Sequence, residues 1–179
     1  MSSETPAEGR PTPSIEFKRL GQKIRRGAFV CGEREIDAWT TDAYKDHGRL
    51  TARTWAAHLK DNDEIAGLYA LRIRLESDAD IDGHNGVFRS EDSRFAAVQL
   101  MYLGVQRPLQ RVGIGELMMV HAIREFAHVA DRTGICAMTL VAINAEKAEW
   151  YRKLGFRQYG KDCERPKMFL PALTALAML

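Results

Sequence analysis

Cysteine is scarce in this chain, and no apolar run is long enough to cross a lipid bilayer. The three cysteines, Cys31, Cys136 and Cys163, form no CxxC pair, which favours reduced thiols over a disulfide framework or a zinc site. The longest apolar stretch, residues 135–143, is well short of the roughly 20 residues of a membrane helix. The polar residues 1–13 do not resemble a signal peptide. We therefore expect a cytoplasmic protein with no metal and no membrane contact.

Length and charge set the next limits. A chain of 179 residues with 45% hydrophobic content suits one domain, which we place at 14–179 after a disordered tail at 1–13. The net charge of +2 is too small to indicate a nucleic-acid binder by itself. However, residues 15–60 contain ten Lys or Arg against six Asp or Glu, whereas residues 61–93 contain three against nine. This asymmetry indicates either a polarised surface or ordinary solvated faces.

Hydrophobic periodicity predicts a mixed α/β fold with a strand–helix–strand unit at its centre. Helices are expected at 33–44, 116–132 and 145–154, strands at 15–20, 53–60, 65–75, 95–105, 135–142, 156–159 and 167–173, and a long acidic loop at 76–93. The central helix has its apolar positions at 119, 123, 126, 127 and 130. In the strand at 65–75, Leu71, Ile73 and Leu75 alternate with two arginines, which predicts that the apolar three are buried.

A glycine-bearing turn separates the predicted strand 95–105 from the central helix. It reads Gln110, Arg111, Val112, Gly113, Ile114, Gly115. Glycine permits close approach of the backbone to an anion, and the first amides of a helix favour negative charge, so the turn predicts a phosphate or pyrophosphate site. A dinucleotide fingerprint would need a third glycine where Met118 stands, and the turn lacks the Gly-Lys-Ser/Thr ending of a Walker A loop.

Two segments together resemble the GNAT family of N-acetyltransferases. The first has Leu103, Val105, Pro108, Gln110, Gly113, Gly115 and Leu117 at the spacing of motif A, and the second has Asn144, Ala148, Tyr151 and Leu154-Gly155-Phe156 at the spacing of motif B. The resemblance implies the GNAT acyl-CoA N-acyltransferase fold, an α/β (α+β) architecture with a central mixed, mostly antiparallel twisted sheet flanked by helices.

The resemblance also implies acetyl-CoA as the cofactor. Amides of the 110–115 turn would bind its pyrophosphate, and the backbone of Leu103, Gly104 and Val105 would pair with the pantetheine arm and polarise the thioester carbonyl. Asn144 would contact the cofactor or the motif B backbone, or else cap the following helix. Each of these side chains has an ordinary alternative in packing or solvation.

Tyr151 matches the family tyrosine that protonates the departing thiolate, although its ring would also suit simple packing. Trp150 is interpreted as a packing residue. No general base is evident, because His121 and His128 lie on the central helix at positions typical of surface or core-edge histidines. An α-amine, with a pKa near ~8, needs less help from a base than a lysine near ~10.4, although a water relay is equally open.

A second resemblance narrows the family. Phe29-x-Cys31-Gly32, followed by Ile36, Asp37 and Trp39, resembles the start of the first helix in GNAT toxins of type II toxin–antitoxin systems. That resemblance implies acetylation of the α-amine of aminoacyl-tRNA, a homodimer, and a small ribbon-helix-helix antitoxin as partner. Basic residues available for RNA are Lys18, Arg19, Lys23, Arg25, Arg26, Arg49 and Arg53.

The chain departs from the toxin pattern in three places, one of which is Gly104 in the predicted strand 95–105. Tyr102 stands where the toxins usually carry an arginine, and the acidic segment with Asp78, Asp80, Asp82, Glu91 and Asp92 would repel RNA phosphates if it lay near the acceptor. Despite these departures, the resemblance favours a translation-blocking acetyltransferase. A GNAT acting on a small-molecule amine or a protein N-terminus is the alternative, and a non-catalytic CoA-binding module is the third hypothesis.

Overall fold

The computed structural model describes residues 11–77 and 94–179. In chain order its elements are β1 (Ile15–Arg19), α1 (Arg34–Trp39), α2 (Ala43–Arg49), β2 (Arg53–Leu59), β3 (Ile65–Ser77), β4 (Arg94–Val105), a 3₁₀ turn (Arg107–Leu109), α3 (Ile114–Thr133), β5 (Ala137–Val141), α4 (Ala145–Lys153), β6 (Arg157–Tyr159), β7 (Lys167–Pro171) and α5 (Ala172–Leu176). Most of the predicted tail and residues 78–93 of the predicted loop lie outside the described residues.

The strands form a seven-stranded sheet in the order β1-β2-β3-β4-β5-β7-β6. β1 and β2 are antiparallel, as are β5 and β7 and β6 and β7. β4 and β5 are parallel because α3 connects them as a crossover helix. The predicted fold class, a mixed and mostly antiparallel sheet flanked by helices, is confirmed. Among the described residues, no helix combines the length and apolar composition of a membrane span.

The chain divides into two compact units. In its described part, the first comprises residues 11–70 and 102–120, and the second comprises residues 71–101 and 121–179. The prediction of a single domain at 14–179 therefore stays a prediction, and each unit is described by itself.

The first unit has a core in which β3 and α3 approach closely. Phe29, Leu68, Tyr69, Ile114 and Met118 are almost fully buried there. A β-carbon added at residue 67 would overlap the Met118 sulfur, so the glycine at this position allows the strand to touch the helix.

The core of the second unit includes a cluster of Phe95, Ala97, Ala137, Tyr159 and Phe169. The rings of Tyr159 and Phe169 meet edge to face, with centroids 5.8 Å apart. All the apolar positions predicted for the core face of α3, from residue 119 to residue 130, are buried. The helical periodicity therefore identified this helix and its buried face correctly.

The predicted helix at 33–44 is wrong in one respect, because the structure has two helices there. α1 ends at Trp39 and α2 starts at Ala43. At the break, the Thr40 hydroxyl donates to the carbonyl of Asp37 at 2.8 Å and the Thr41 hydroxyl donates to that of Ala38 at 3.0 Å. These side-chain bonds compete with the helical ladder, which accounts for the interruption.

The predicted burial of Ile73 and Leu75 is also wrong, since their exposed fractions are 59% and 57%. Leu71 is buried as expected, and the strand continues to Ser77, two residues into the predicted loop. A buried carboxylate, Glu76, instead accepts the Thr139 hydroxyl at 3.4 Å. Alternation shows which residues share a face but not which face is covered, and in this part of β3 Glu76 is buried while Ile73 and Leu75 are exposed.

Strands β5 and β7 are shorter than predicted. β5 spans 137–141 rather than 135–142, and β7 ends at Pro171 rather than at Leu173. Proline has no amide for further strand pairing, and its φ of −60° suits a helix entrance, so α5 starts at Ala172. Leu173 is consequently 77% exposed on that helix.

Candidate functional site

The glycine turn has the backbone geometry of an anion cradle. Arg111 has φ +62° and Gly113 has φ +87°, and α3 begins directly afterwards at Ile114. Left-handed residues in such a turn orient successive N–H groups towards one side, and the helix dipole adds to their positive potential. The predicted phosphate site and the start of the helix therefore coincide.

The N–H groups of residues 111–116 form no hydrogen bond to any described residue. The ladder of α3 begins with Leu117, whose amide donates to the carbonyl of Gly113 at 3.2 Å. The Gln110 amide, in contrast, donates to the carbonyl of Arg107 at 3.4 Å. The free donors thus begin at Arg111, one residue later than the predicted 110–115 turn.

The side chain of Gln110 fastens the turn to its surroundings. Its Nε2 donates to the carbonyl of Cys31 at 2.7 Å and to that of Val105 at 3.0 Å. One amide group therefore joins the end of β4, the start of the turn and the segment before α1. Gln110 was predicted among the cofactor-binding residues, and the contacts of its side chain are to protein carbonyls.

The side chain of Gln106 also binds the segment before α1. The Oε1 of Gln106 accepts the N–H of Val30 at 2.7 Å, and its Nε2 donates to the carbonyl of Ala28 at 3.3 Å. The Arg107 amide also donates to the carbonyl of Val30, at 2.9 Å. Residues 28–31 are thus held along the chain that leads from β4 into the turn. Sequence reasoning missed Gln106, because no local pattern specifies partners that lie 76 and 78 positions away.

Asp37, on α1, binds the segment that precedes this helix through its carboxylate. Its carboxylate accepts the N–H of Cys31 at 2.7 Å and that of Gly32 at 3.2 Å. Burial alone would raise the pKa of this carboxyl, but the two amides and the nearby charge of Arg107 lower it below its usual value. A β-carbon on Gly32, whose φ is +94°, would lie 2.7 Å from the Arg107 guanidinium.

These contacts give a structural role to the motif at 29–39, which resembles that of the toxins. Cys31 is buried, and burial raises the pKa of its thiol to about 12, so it remains a protonated packing group. A β-carbon on Gly104 would lie 3.0 Å from a methyl carbon of Ile36 and 3.2 Å from the Cys31 sulfur. The small residue in β4 lets α1 pack tightly on the strand.

Leu103 and Val105 are partly buried near the end of β4. The pairing of β4 with β5 joins Ala97–Leu100 to Ala137–Leu140, and residues 101–105 extend β4 beyond that register. The predicted pairing of this backbone with a pantetheine arm is consistent with that extension and stays a prediction.

In the second unit, Asn144 is the N-cap of α4. Its Oδ1 accepts the N–H of Lys147 at 2.9 Å, so the capping role given as an alternative is present. The predicted contact of Asn144 with a cofactor is not tested by this geometry.

Tyr151 lies on α4 between two aromatic rings. Its ring centroid is 4.9 Å from that of Trp150 and 5.7 Å from that of Phe156. The residue is half-buried, and burial raises the pKa of its hydroxyl to about 12. Among the described residues nothing hydrogen-bonds to this hydroxyl. The arrangement keeps a neutral O–H donor available at physiological pH.

The basic residues of the first unit are unequally available. Lys18 is engaged by Asp63 at 2.9 Å and by Glu16 at 3.2 Å. Arg19 lies over the Trp55 ring, 5.3 Å from its centroid. Burial lowers the pKa of the His47 imidazole, and the charges of Arg53 and Arg19 lower it further.

His121, on α3 in the second unit, is half-buried. Burial lowers the pKa of its imidazole, as does the charge of Arg124. His128 is exposed on the same helix. These positions agree with the interpretation of both as surface or core-edge residues.

The sequence matches no known family model. Among solved structures, this chain is similar to the toxin AtaT complexed with acetyl-methionyl-tRNAfMet, with a TM-score of 0.80, 19% identity and coverage of 92% of this chain and 99% of that one. It is also similar to a crystal structure described only as a bacterial toxin, with a TM-score of 0.78, 20% identity and coverage of 93% and 95%.

A third similar structure is a tyrosine-to-phenylalanine variant of AtaT bound to the C-terminus of the antitoxin AtaR and acetyl-CoA. Its TM-score is 0.73 at 20% identity, with coverage of 92% of this chain and 98% of that one. Likeness at this level of identity establishes the fold alone, and that fold is the one found in AtaT.

Proposed function

We propose that this protein is an acetyl-CoA-dependent N-acetyltransferase that transfers an acetyl group to the α-amino group of aminoacyl-tRNA and thereby blocks translation. The observation that carries the proposal is the row of unpaired backbone amides at residues 111–116, at the start of α3. The fold also supports the proposal, because the chain shares it with toxin structures that contain acetyl-methionyl-tRNA or acetyl-CoA.

The turn fits the pyrophosphate of acetyl-CoA. Arg111, Val112, Gly113, Ile114 and Gly115 would donate backbone N–H groups to its oxygens, and Gln110 would hold the turn in place through its two carbonyl contacts. When bound, acetyl-CoA would supply the acetyl group as an activated thioester. The backbone of Leu103, Gly104 and Val105 would align the pantetheine arm and donate a hydrogen bond to the thioester carbonyl.

Tyr151 would donate its hydroxyl proton to the sulfur of the departing CoA. A tyrosine whose pKa is raised to about 12 stays protonated throughout the physiological range, so its O–H is present as a donor when the thiolate departs. Asn144 would keep α4, and therefore Tyr151, in its place by capping the helix. No base is assigned, because a fraction of an α-amine is already neutral near pH 7.

The acceptor RNA would be held by the basic residues of the first unit. Arg19 and Arg53 are the best candidates, because in the described ranges no carboxylate pairs with either of them as Glu16 and Asp63 pair with Lys18. Such contacts with phosphates would make binding strongly dependent on salt. We further propose that the protein works in the cytoplasm as a homodimer and that a small ribbon-helix-helix antitoxin neutralises it.

Expression in bacteria tests the proposal together with calorimetry. The wild type should arrest growth, and Tyr151→Phe should relieve the arrest while acetyl-CoA binding, measured by calorimetry, is retained. Trp150→Phe, which alters the neighbouring ring on the same helix, is the matched control and should still arrest growth. Harmless expression of the wild type, or no binding of acetyl-CoA, would contradict the proposal.

The engagement of Lys18 by two carboxylates favours one alternative, a GNAT acting on a small amine or a protein N-terminus, because it reduces the free positive charge of the surface. In that case acetylation would be insensitive to salt in the range that weakens RNA binding. A panel of free amines and N-terminal peptides, assayed beside aminoacyl-tRNA, separates the two functions.

A further inference from the structure

An aromatic pair stands next to the proposed thioester site. Tyr102 on β4 packs against Trp39 on α1, with ring centroids 4.9 Å apart and ring planes 33° from parallel. Trp39 is 8% exposed, whereas Tyr102 is partly exposed and directly precedes Leu103. Tyr102 is thus a partly exposed aromatic residue that packs on a buried indole.

The indole of Trp39 is held by packing alone. Its Nε1 is buried and has no hydrogen-bond partner in the described ranges. Buried donors are nearly always paired, so an unpaired one marks a place that demands an explanation. The contact with the Tyr102 ring is therefore part of the packing that holds the indole in place.

The charges nearest in sequence to Trp39 are already engaged. The carboxylate of Asp37 accepts the amides of Cys31 and Gly32, and Asp42 pairs with Lys45 at 2.7 Å. At position 102 the strand itself carries an aromatic ring rather than a charged side chain. Such a ring gains free energy from contact with apolar groups and disfavours a charge that loses its water there.

We propose that the Trp39–Tyr102 pair selects the aminoacyl group, favouring large uncharged side chains over glycine and over charged side chains. The inference rests on the proposed function. The side chain of an aminoacyl group branches from the same carbon as the reacting amine, so it must lie within a few ångströms of the thioester carbonyl. Adjacent Cα atoms are about 3.8 Å apart, which places residue 102 next to the backbone assigned to that carbonyl.

The test is a rate comparison on six purified aminoacyl-tRNAs with acetyl-CoA, read by mass spectrometry of the acetylated aminoacyl-adenosine. The phenylalanyl, leucyl and methionyl acceptors should be acetylated with a kcat/KM at least tenfold above that of the glycyl, aspartyl and lysyl acceptors. Tyr102→Ala should reduce this ratio at least fivefold, and Tyr102→Phe should preserve it.

Two further variants keep the test specific. Trp39→Phe removes the unpaired donor but keeps an aromatic ring, so the preference should persist. Tyr44→Ala, at an exposed tyrosine on α2, is the matched control and should leave every rate unchanged. Calorimetry with acetyl-CoA checks that each variant is folded, and Tyr102→Leu replaces Tyr102→Ala if the latter fails to bind.

The outcomes distinguish the inference from the function on which it rests. Equal rates for all six acceptors, or a preference unaffected by Tyr102→Ala and Tyr102→Leu, would overturn the selection by this pair and leave the acetyltransferase intact. Acetylation of none of the six would overturn the proposed function and the inference with it.

Discussion

The carboxylate of Asp37 accepts the backbone N–H of Cys31 at 2.7 Å, across the loop that precedes α1. Its second oxygen accepts the N–H of Gly32 at 3.2 Å. The loop carries the Cys31 carbonyl that Gln110 binds, so this carboxylate indirectly supports the anion-binding turn. Asp37 therefore has a structural role next to the turn that is proposed to bind the cofactor.

Asp37→Ala should lower the free energy of unfolding by about 1–3 kcal/mol, because it leaves two amides without their charged acceptor. Asp37→Asn should lose less, since an amide oxygen still accepts one N–H. Urea unfolding monitored by circular dichroism measures both. Equal stability of the wild type and Asp37→Ala would contradict the role assigned to the carboxylate.

The same carboxylate predicts a pH dependence. Its pKa in the folded protein is lower than the unfolded value near ~3.9, so its contribution is fully present above that value. It is lost as the pH falls through the lower, folded pKa. The stability difference between the wild type and Asp37→Asn should therefore be constant near neutral pH and shrink in strong acid, which acid titrations of the unfolding transition measure.

Gln110→Ala should weaken acetyl-CoA binding without abolishing it. The change removes two hydrogen bonds to carbonyls, worth about 1 kcal/mol each, and releases the turn from residue 31. Calorimetry should show a rise in Kd of several-fold. Gln22→Ala, at an exposed glutamine of the same unit, is the control and should bind as the wild type does. An unchanged Kd for Gln110→Ala would show that the turn keeps its shape without this side chain.

Gly113→Ala should raise the Kd for acetyl-CoA at least tenfold. Its φ of +87° is costly for alanine, and the new β-carbon would lie 2.7 Å from the Thr12 hydroxyl, so either the turn or the Thr12 side chain must shift. Gly27 has φ +79° with open space around its β-position, so Gly27→Ala separates the general cost of positive φ from the local effect. If both variants lose affinity equally, the turn is not the anion site.

Arg53→Ala should raise the KM for aminoacyl-tRNA several-fold and reduce the slope of log KM against log salt by about 1, as expected for one lost phosphate contact. Lys18→Ala should change both less, because Lys18 is engaged by Glu16 and Asp63. Steady-state kinetics over a series of salt concentrations measures the slope. A KM that does not respond to salt in the wild type would favour a small-amine acceptor.

Strong helical periodicity and glycine placement made much of the fold predictable from the sequence. The buried positions of α3, from Met119 to Ala130, repeat at helical spacing over several turns, and the turn before it contains the glycine that needs φ +87°. Both features are local, so a single sequence reveals them.

Features that depend on tertiary contacts were not predictable in the same way. Ile73 and Leu75 alternate like buried residues but are exposed, because burial depends on what covers the sheet. The clamps made by Gln106 and Gln110 join residues more than 70 positions apart, and no local pattern specifies such partners. Asn144 was predicted either to contact the cofactor or to cap the following helix. Only the cap depends on backbone that is close to Asn144 in the sequence.

The most direct test of the account is the reaction of purified protein with acetyl-CoA and aminoacyl-tRNA, compared with that of Tyr151→Phe. Mass spectrometry of the aminoacyl-adenosine should show an acetyl group on the α-amine with the wild type. The variant, which lacks the proton donor, should react about 10²–10⁴-fold more slowly while binding acetyl-CoA with the same Kd. An unmodified aminoacyl group after reaction with the wild type, or equal rates for both proteins, would contradict the account.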